Sequence, residues 1–133
     1  MDFTLENNES IVLEVKGTHI RSFWDVIQGT FYLTNKRLVF ARPSKAVRFW
    51  APMAEGFVKG VDVSFAHFYT DISSATIKKH GFAKKIALSC KSGVSYEVQA
   101  TKLDEFMATL RNHISANGGN VVEDGAGGFS VAQ

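Results

Sequence analysis

The stretch that decides the fold is Gly29-Thr30-Phe31-Tyr32-Leu33-Thr34-Asn35-Lys36-Arg37-Leu38-Val39-Phe40. Phe31 and Leu33 alternate with Thr30, Tyr32 and Thr34, and after a short polar break Leu38 and Phe40 take up the same alternation. Period 2 on both sides of a turn former is the pattern of a β-hairpin with one packed face and one wet face. Asn35 accepts the positive φ that tight hairpin turns use, so Asn35-Lys36 is the predicted turn.

The same alternation runs outward on both sides. Ile11, Leu13 and Val15 face one way, with Glu14 and Lys16 opposite. Downstream, Ile86, Leu88 and Cys90 alternate with Lys85, Ala87 and Ser89, and Val94, Tyr96 and Val98 with Ser95, Glu97 and Gln99. Lys91-Ser92-Gly93 fits a three-residue hairpin with Gly in the left-handed position. Strands are predicted at 10–16, 28–34, 37–42, about 63–69, 72–77, 84–90 and 94–99. At residue 101 the period changes: Leu103, Phe106, Met107, Leu110 and Ile114 form one helical stripe. Thr101 is the expected N-cap, Asp104 and Glu105 suit the first turn, and Asn117-Gly118 the stop. The expected architecture is mainly β: an antiparallel barrel of about seven strands capped by one C-terminal α-helix. Residues 1–117 form the domain, and the Gly-rich residues 118–133 are expected to be a flexible tail.

Composition narrows the function classes. The 133 residues are 45% hydrophobic and 21% charged, an ordinary globular mix for one domain. The single Cys, Cys90, excludes a disulfide framework and suits a reducing, cytoplasmic setting. The opening MDFTLENNES has no basic and apolar leader pattern, so no secretory signal is expected. Net charge is only +2, so attraction to an anionic partner must come from local clusters.

Such clusters exist. From Val26 to Ala54 there is no Asp or Glu, while Lys36, Arg37, Arg42, Lys45 and Arg48 are present. From Ile72 to Tyr96 there is again none, with Lys78, Lys79, Lys84, Lys85 and Lys91. Phosphate-rich head groups need convergent Lys and Arg donors, and a bilayer surface accepts aromatic side chains among them. A solvated, solubilising face is the plainer reading of the same charges.

Enzyme readings find little. His19, His67, His80 and His113 are 13 residues or more apart and lack metal-ligand spacing such as His-x-x-x-His. No nucleophile elbow, phosphate loop or dinucleotide loop occurs. No catalytic residue, metal or cofactor is expected, and the outward strand faces have too few aromatics to stack nucleic-acid bases.

The quoted hairpin resembles the signature of the GRAM domain, a member of the pleckstrin-homology-like superfold. Gly29, Leu33, Thr34, Asn35, Lys36, Arg37, Leu38 and Phe40 carry the match, which extends loosely over residues 9 to 114. The resemblance implies a non-catalytic module that binds phosphoinositides or other anionic lipids at a membrane surface. Adaptor work between proteins, without lipid contact, is the alternative it leaves open. Within the signature, Lys36 and Arg37 are either ligand contacts or parts of a structural turn.

In a strict meander the connections 17–27, 43–62 and 78–83 share one end. The expected lipid-binding set is therefore Arg21, Lys45, Arg48, Lys78, Lys79, Lys84 and Lys85, with Phe49, Trp50 and Phe82 as membrane contacts and Phe23 and Trp24 nearby.

Overall fold

The computed structural model describes residues 3–22, 24–43, 53–54, 57–58, 61–80 and 83–132. The chain folds as β1 (Phe3–Thr4), β2 (Ile11–Ser22), β3 (Asp25–Thr34), β4 (Arg37–Pro43), β5 (Met53–Ala54), β6 (Phe57–Val58) and β7 (Val61–Phe68). A 3-10 turn (Tyr69–Asp71) leads to β8 (Ile72–His80), β9 (Ala83–Cys90), β10 (Ser95–Ala100), α1 (Leu103–Ala116), β11 (Asn120–Glu123) and β12 (Phe129–Ala132). One sheet has nine strands among the described residues, in the order β11-β12-β8-β9-β10-β2-β3-β4-β7. A small second sheet has the order β1-β6-β5.

The alternation argument holds for the central strands. Phe31 pairs with Phe40 and Leu33 with Leu38, and all four are fully buried. One core cluster joins Phe65 from β7 to Ala75 from β8, so the two ends of the strand order fold toward each other over a shared interior. The sheet is not a closed seven-strand barrel, however. Its order ends at β7 on one side and β11 on the other, and β7 and β8 are not ladder partners. The chain crosses between them through the 3-10 turn instead of a hairpin, and β12 occupies the edge of β8.

β2 is longer than expected. It does not stop at Lys16 but pairs with β3 as far as Ser22 opposite Asp25. From Gly17 onward it pairs with β10 as well, Ala100 opposite Gly17 and Glu97 opposite Ile20. Gly17 is needed at this junction: a Cβ there would run into the Phe31 ring and the Gln99 carbonyl.

The helix covers the interior with Phe106, Met107, Leu110 and Ile114, the predicted stripe. Its start differs from the expectation. The N-cap is Lys102, in the left-handed region with φ 51, and no side chain caps the helix. Thr101 instead ties to β2, its Oγ1 donating to the Lys16 carbonyl at 2.9 Å. Asn117 and Gly118 end the helix as expected, Gly118 at φ 94.

The Gly-rich tail is also corrected. Residues 120–123 and 129–132 form an antiparallel hairpin, and Phe129 is fully buried against the core opposite Ala75. The glycines serve turns: Gly125 and Gly127 both have positive φ, a conformation that costs other residues about 1 kcal/mol or more. Asp124 Oδ1 accepts the amides of Ala126 and Gly128 and closes that turn.

Candidate functional site

Two places draw together the residues singled out by the sequence: the turn of the signature hairpin, and the open end of the sheet formed by β2, β3, β4 and β7.

At the turn, all four polar residues are engaged within the protein. Thr34 Oγ1 donates to Glu9 Oε2 at 2.6 Å and accepts the amides of Lys36 and Arg37. Arg37 grips the Glu9 carboxylate with two donors, Nε to Oε2 at 2.9 Å and Nη2 to Oε1 at 3.1 Å. Asn35 accepts the Ser10 amide and donates to the Asn8 carbonyl, and Lys36 Nζ donates to the Asn7 carbonyl at 2.9 Å. Tyr69 closes the cluster, its hydroxyl donating to the Thr34 carbonyl at 2.6 Å. Burial pushes the Glu9 carboxyl up, but hydrogen bonds from Thr34, Arg37 and the Glu6 amide outweigh it and hold it below its ordinary value. Asn35 acts through its side chain and does not take positive φ. Thus the signature's Asn, Lys and Arg bind the N-terminal segment of their own chain. Of the two readings open for Lys36 and Arg37, this geometry gives the structural one.

At the open end, the inward rows of the strands run out beyond the apolar core. His19 continues the face of Val15 along β2, Arg21 follows at a register irregularity between Ile20 and Ser22, and Arg42 continues the face of Leu38 and Phe40 along β4. With Ile27, Asp62, Val63 and Ser64 they line a depression of about 300 Å³. Arg42 lies opposite Asp62 in the ladder. The His19 ring that lines the depression stands edge-on to Phe65 at 5.3 Å and to Tyr96 at 5.4 Å. His19 Nδ1 is buried without a hydrogen-bond partner. Burial, with the nearby Arg21 charge, lowers the His19 pKa, so the ring is neutral at pH 7. Arg21 meets Asp25 at 3.4 Å, but both side chains are more than half exposed, so this pair contributes little. The β2–β3 hairpin that bears Arg21 also carries Trp24, 89% exposed, and Val26, 52% exposed.

The expected lysines are elsewhere. Lys78 is opposite Lys85 and Lys79 opposite Lys84, next to the β8–β9 turn. Ile86 pairs with Val98, which pairs with His19, so Lys84 is level with Gly17. There it lines a different depression from His19, Arg21 and Arg42, with Thr18, Gln99 and Ala100. The turn that does join the open end is 91–94, because β10 enters beside that end of β2. The meander count fails at one step: β7 and β8 are not a hairpin, so alternation of ends does not carry across them.

Among the described lysines of the set, Lys78 rejoins Arg21, in a shallow groove on the outer sheet face of about 390 Å³ lined also by Ile20, Ala87, Ser89 and Ser95. Lys85 is tied to Glu97 at 3.2 Å, and Lys84 lies by Thr101 and Leu103 at the start of α1. Lys45, Arg48, Phe49, Trp50, Phe82 and Phe23 lie outside the described residues.

Sequence reading omits His19, Arg42, Asp62 and Ser64 from the site. Arg42 was legible in principle, since it shares the parity of Leu38 and Phe40. His19 was hidden because Gly17 reads as the end of a strand.

What this end offers is two guanidinium groups, a carboxylate, a hydroxyl and a neutral imidazole around a concave floor, with Trp24 exposed on the hairpin that bears Arg21. Guanidinium groups at such a rim suit bidentate contact with phosphate. Among the described residues no helix is long and apolar enough to cross a membrane.

No protein-family description matches the sequence, and no curated protein does. Solved structures do match in fold. The C-terminal domain of an unknown protein from Leishmania infantum superposes with a TM-score of 0.58 at 14% identity, covering 80% of this chain and 85% of that one. An N-terminally truncated linker-DH/PH structure of p115-RhoGEF gives a TM-score of 0.57 at 11% identity, over 82% of this chain and 30% of that one. A further DH/PH structure of p115-RhoGEF gives 0.52 at 12% identity, over 79% and 30%. This chain therefore spans under a third of the p115-RhoGEF chains it resembles. At such identities the likeness is one of fold, and the fold is mainly β and pleckstrin-homology-like.

Proposed function

We propose that the chain is a non-catalytic binding module of the GRAM type that docks on the cytoplasmic surface of an anionic membrane, without a cofactor. The observation that carries this reading is Trp24, 89% exposed on the hairpin that also bears Arg21, which with Arg42 lines an open depression. Exposed Trp partitions to the head-group layer, and each well-placed basic residue adds about 1 kcal/mol of attraction to an anionic leaflet. The two parts respond differently to salt: the attraction is screened, the aromatic insertion is not. Phosphoinositide head groups are one source of the phosphate that Arg21 and Arg42 would grip.

Sedimentation with neutral and anionic vesicles tests it. The parent should pellet with anionic vesicles and lose binding as salt rises. Trp24→Ala should abolish pelleting, and Arg42→Ala should weaken it about fivefold, the equivalent of 1 kcal/mol. Lys79→Ala with Lys84→Ala should leave it nearly unchanged, since those side chains lie away from the open end. If the parent never pellets, or pellets equally with neutral vesicles, the lipid reading fails and a protein-binding scaffold takes its place.

A further inference from the structure

We infer that His67, Asp71 and Cys90 form a binding site for a divalent transition-metal cation of the zinc class. His67 is near the end of β7, Asp71 ends the 3-10 turn and Cys90 ends β9. One donor atom from each lies within 4.8 Å of the others. His67 Nδ1 is 2.9 Å from Asp71 Oδ2. Zinc bonds of about 2.0 to 2.3 Å in a tetrahedron hold their donors roughly 3.3 to 3.7 Å apart. Closing the set around an ion thus asks for shifts of about 1 Å among the three donors.

The surroundings are those of a held site. Tyr96 Oη lies 2.7 Å from His67 Nε2 and fixes the ring plane. The Ser92 amide donates to Asp71 Oδ1 at 3.2 Å, while Oδ2 accepts from the Ser92 hydroxyl and meets His67 Nδ1, contacts that an ion at Oδ2 would replace. The Asp71 carbonyl takes the Lys91 amide at 2.6 Å, and Ile72 pairs with Cys90, so two elements are tied together around the three donors. Outer hydrogen bonds of this kind orient metal ligands. Cys90 is 5% exposed, whereas the Asp71 side chain is 31% exposed, so an ion enters from the Asp71 side. Ser92 Oγ, 3.4 Å from Asp71 Oδ2, or a water completes the fourth position. A nitrogen, a carboxylate oxygen and a sulfur together suit a borderline-soft ion better than calcium or magnesium.

Proton accounting is simple. A carboxylate only accepts, so the 2.9 Å contact with Asp71 puts a hydrogen on His67 Nδ1, which a metal at that nitrogen displaces. With metal, the imidazole proton moves to Nε2 and is donated to Tyr96 Oη. The Cys90 thiol releases one proton to solvent as the metal–sulfur bond forms, so binding weakens as pH falls.

The test is titration of the chelator-stripped full chain with Zn²⁺ by calorimetry and with Co²⁺ by absorption. One-to-one binding with a sulfur-to-cobalt charge-transfer band is expected. Cys90→Ser and Cys90→Ala should lose the band, and His67→Gln and Asp71→Asn should weaken Zn²⁺ by more than about tenfold, the scale set by outer-shell partners alone. Two cysteine variants are used so that one that fails to melt cooperatively can be set aside. Absence of one-to-one binding in the parent overturns the inference. So does binding that survives His67→Gln and a folded Cys90 variant unchanged.

Discussion

Replacing Glu9 with Gln should cost about 3 kcal/mol of stability at neutral pH. The carboxylate side chain has no exposed surface and is held by Thr34, by two Arg37 donors and by the Glu6 amide at 2.8 Å. Gln keeps the shape but removes the charge, and its amide turns a donor toward Thr34 or Arg37. Removing one partner of a buried pair typically costs 3–5 kcal/mol. The lower end applies here because the Arg37 side chain, 15% exposed, can still reach water. Arg37→Met should cost more, about 4–5 kcal/mol, since it strands a carboxylate that water cannot reach. The double variant should cost clearly less than the sum of the two, a coupling of roughly 2–3 kcal/mol.

The pH dependence follows from the sign of the shift. Folding holds the Glu9 carboxyl below its unfolded value of about 4.3, so its contribution is complete above that value. It is lost as pH falls through the lowered, folded value. The gap between parent and Glu9→Gln should therefore narrow from pH 5 downward. Urea unfolding followed by circular dichroism at pH 7, 5 and 3 measures it. Single variants within 1 kcal/mol of the parent at pH 7, or a gap that does not change with pH, would refute the role given to this pair.

Leu110→Ala should cost roughly 2–5 kcal/mol, read from a thermal melt, because the side chain is fully buried mid-stripe in the helix. Phe129→Ala should cost about 3–5 kcal/mol in the same assay, and truncation at Gly118 at least as much, since both uncover the core. In metal-free protein, Cys90 should react with alkylating reagents at neutral pH only after denaturation. Burial, aided by the Asp71 charge, pushes its thiol up to about 11, and a rate equal to that of the unfolded chain would contradict this.

Much of the strand order was legible because each central strand has one dry face, and alternation is a local signal. Phe31, Leu33, Leu38 and Phe40 announce their face without any knowledge of partners. The helix was legible for the same reason. The tail was misread because Gly125 and Gly127 look like flexibility until a turn needs their positive φ, and a lone Phe129 gives no period. The open end was only half legible. Arg21 stands out as a charge, but its companions His19, Arg42, Asp62 and Ser64 depend on how far β2 runs past Gly17 and on the β4–β7 register. The lysines were misplaced because no local pattern tells a hairpin from a corner crossing. His67, Asp71 and Cys90 meet through the 3-10 turn and the β8–β9 register, neither of which composition reveals.

The double pairing of β2 also sets an order of events during synthesis. The half of β2 from Gly17 onward finds its first partner, β3, almost at once, but its second, β10, belongs to the far end of the chain. The bond from Thr101 to Lys16 spans 85 residues. At about 5–20 residues per second on the ribosome, that edge waits roughly 4–17 seconds before its partner emerges. Until then a row of unpaired amides and carbonyls faces outward beside apolar side chains, an invitation to pair with another nascent chain. Slow, non-local closure of this kind leaves β2 open to mispairing until β10 arrives.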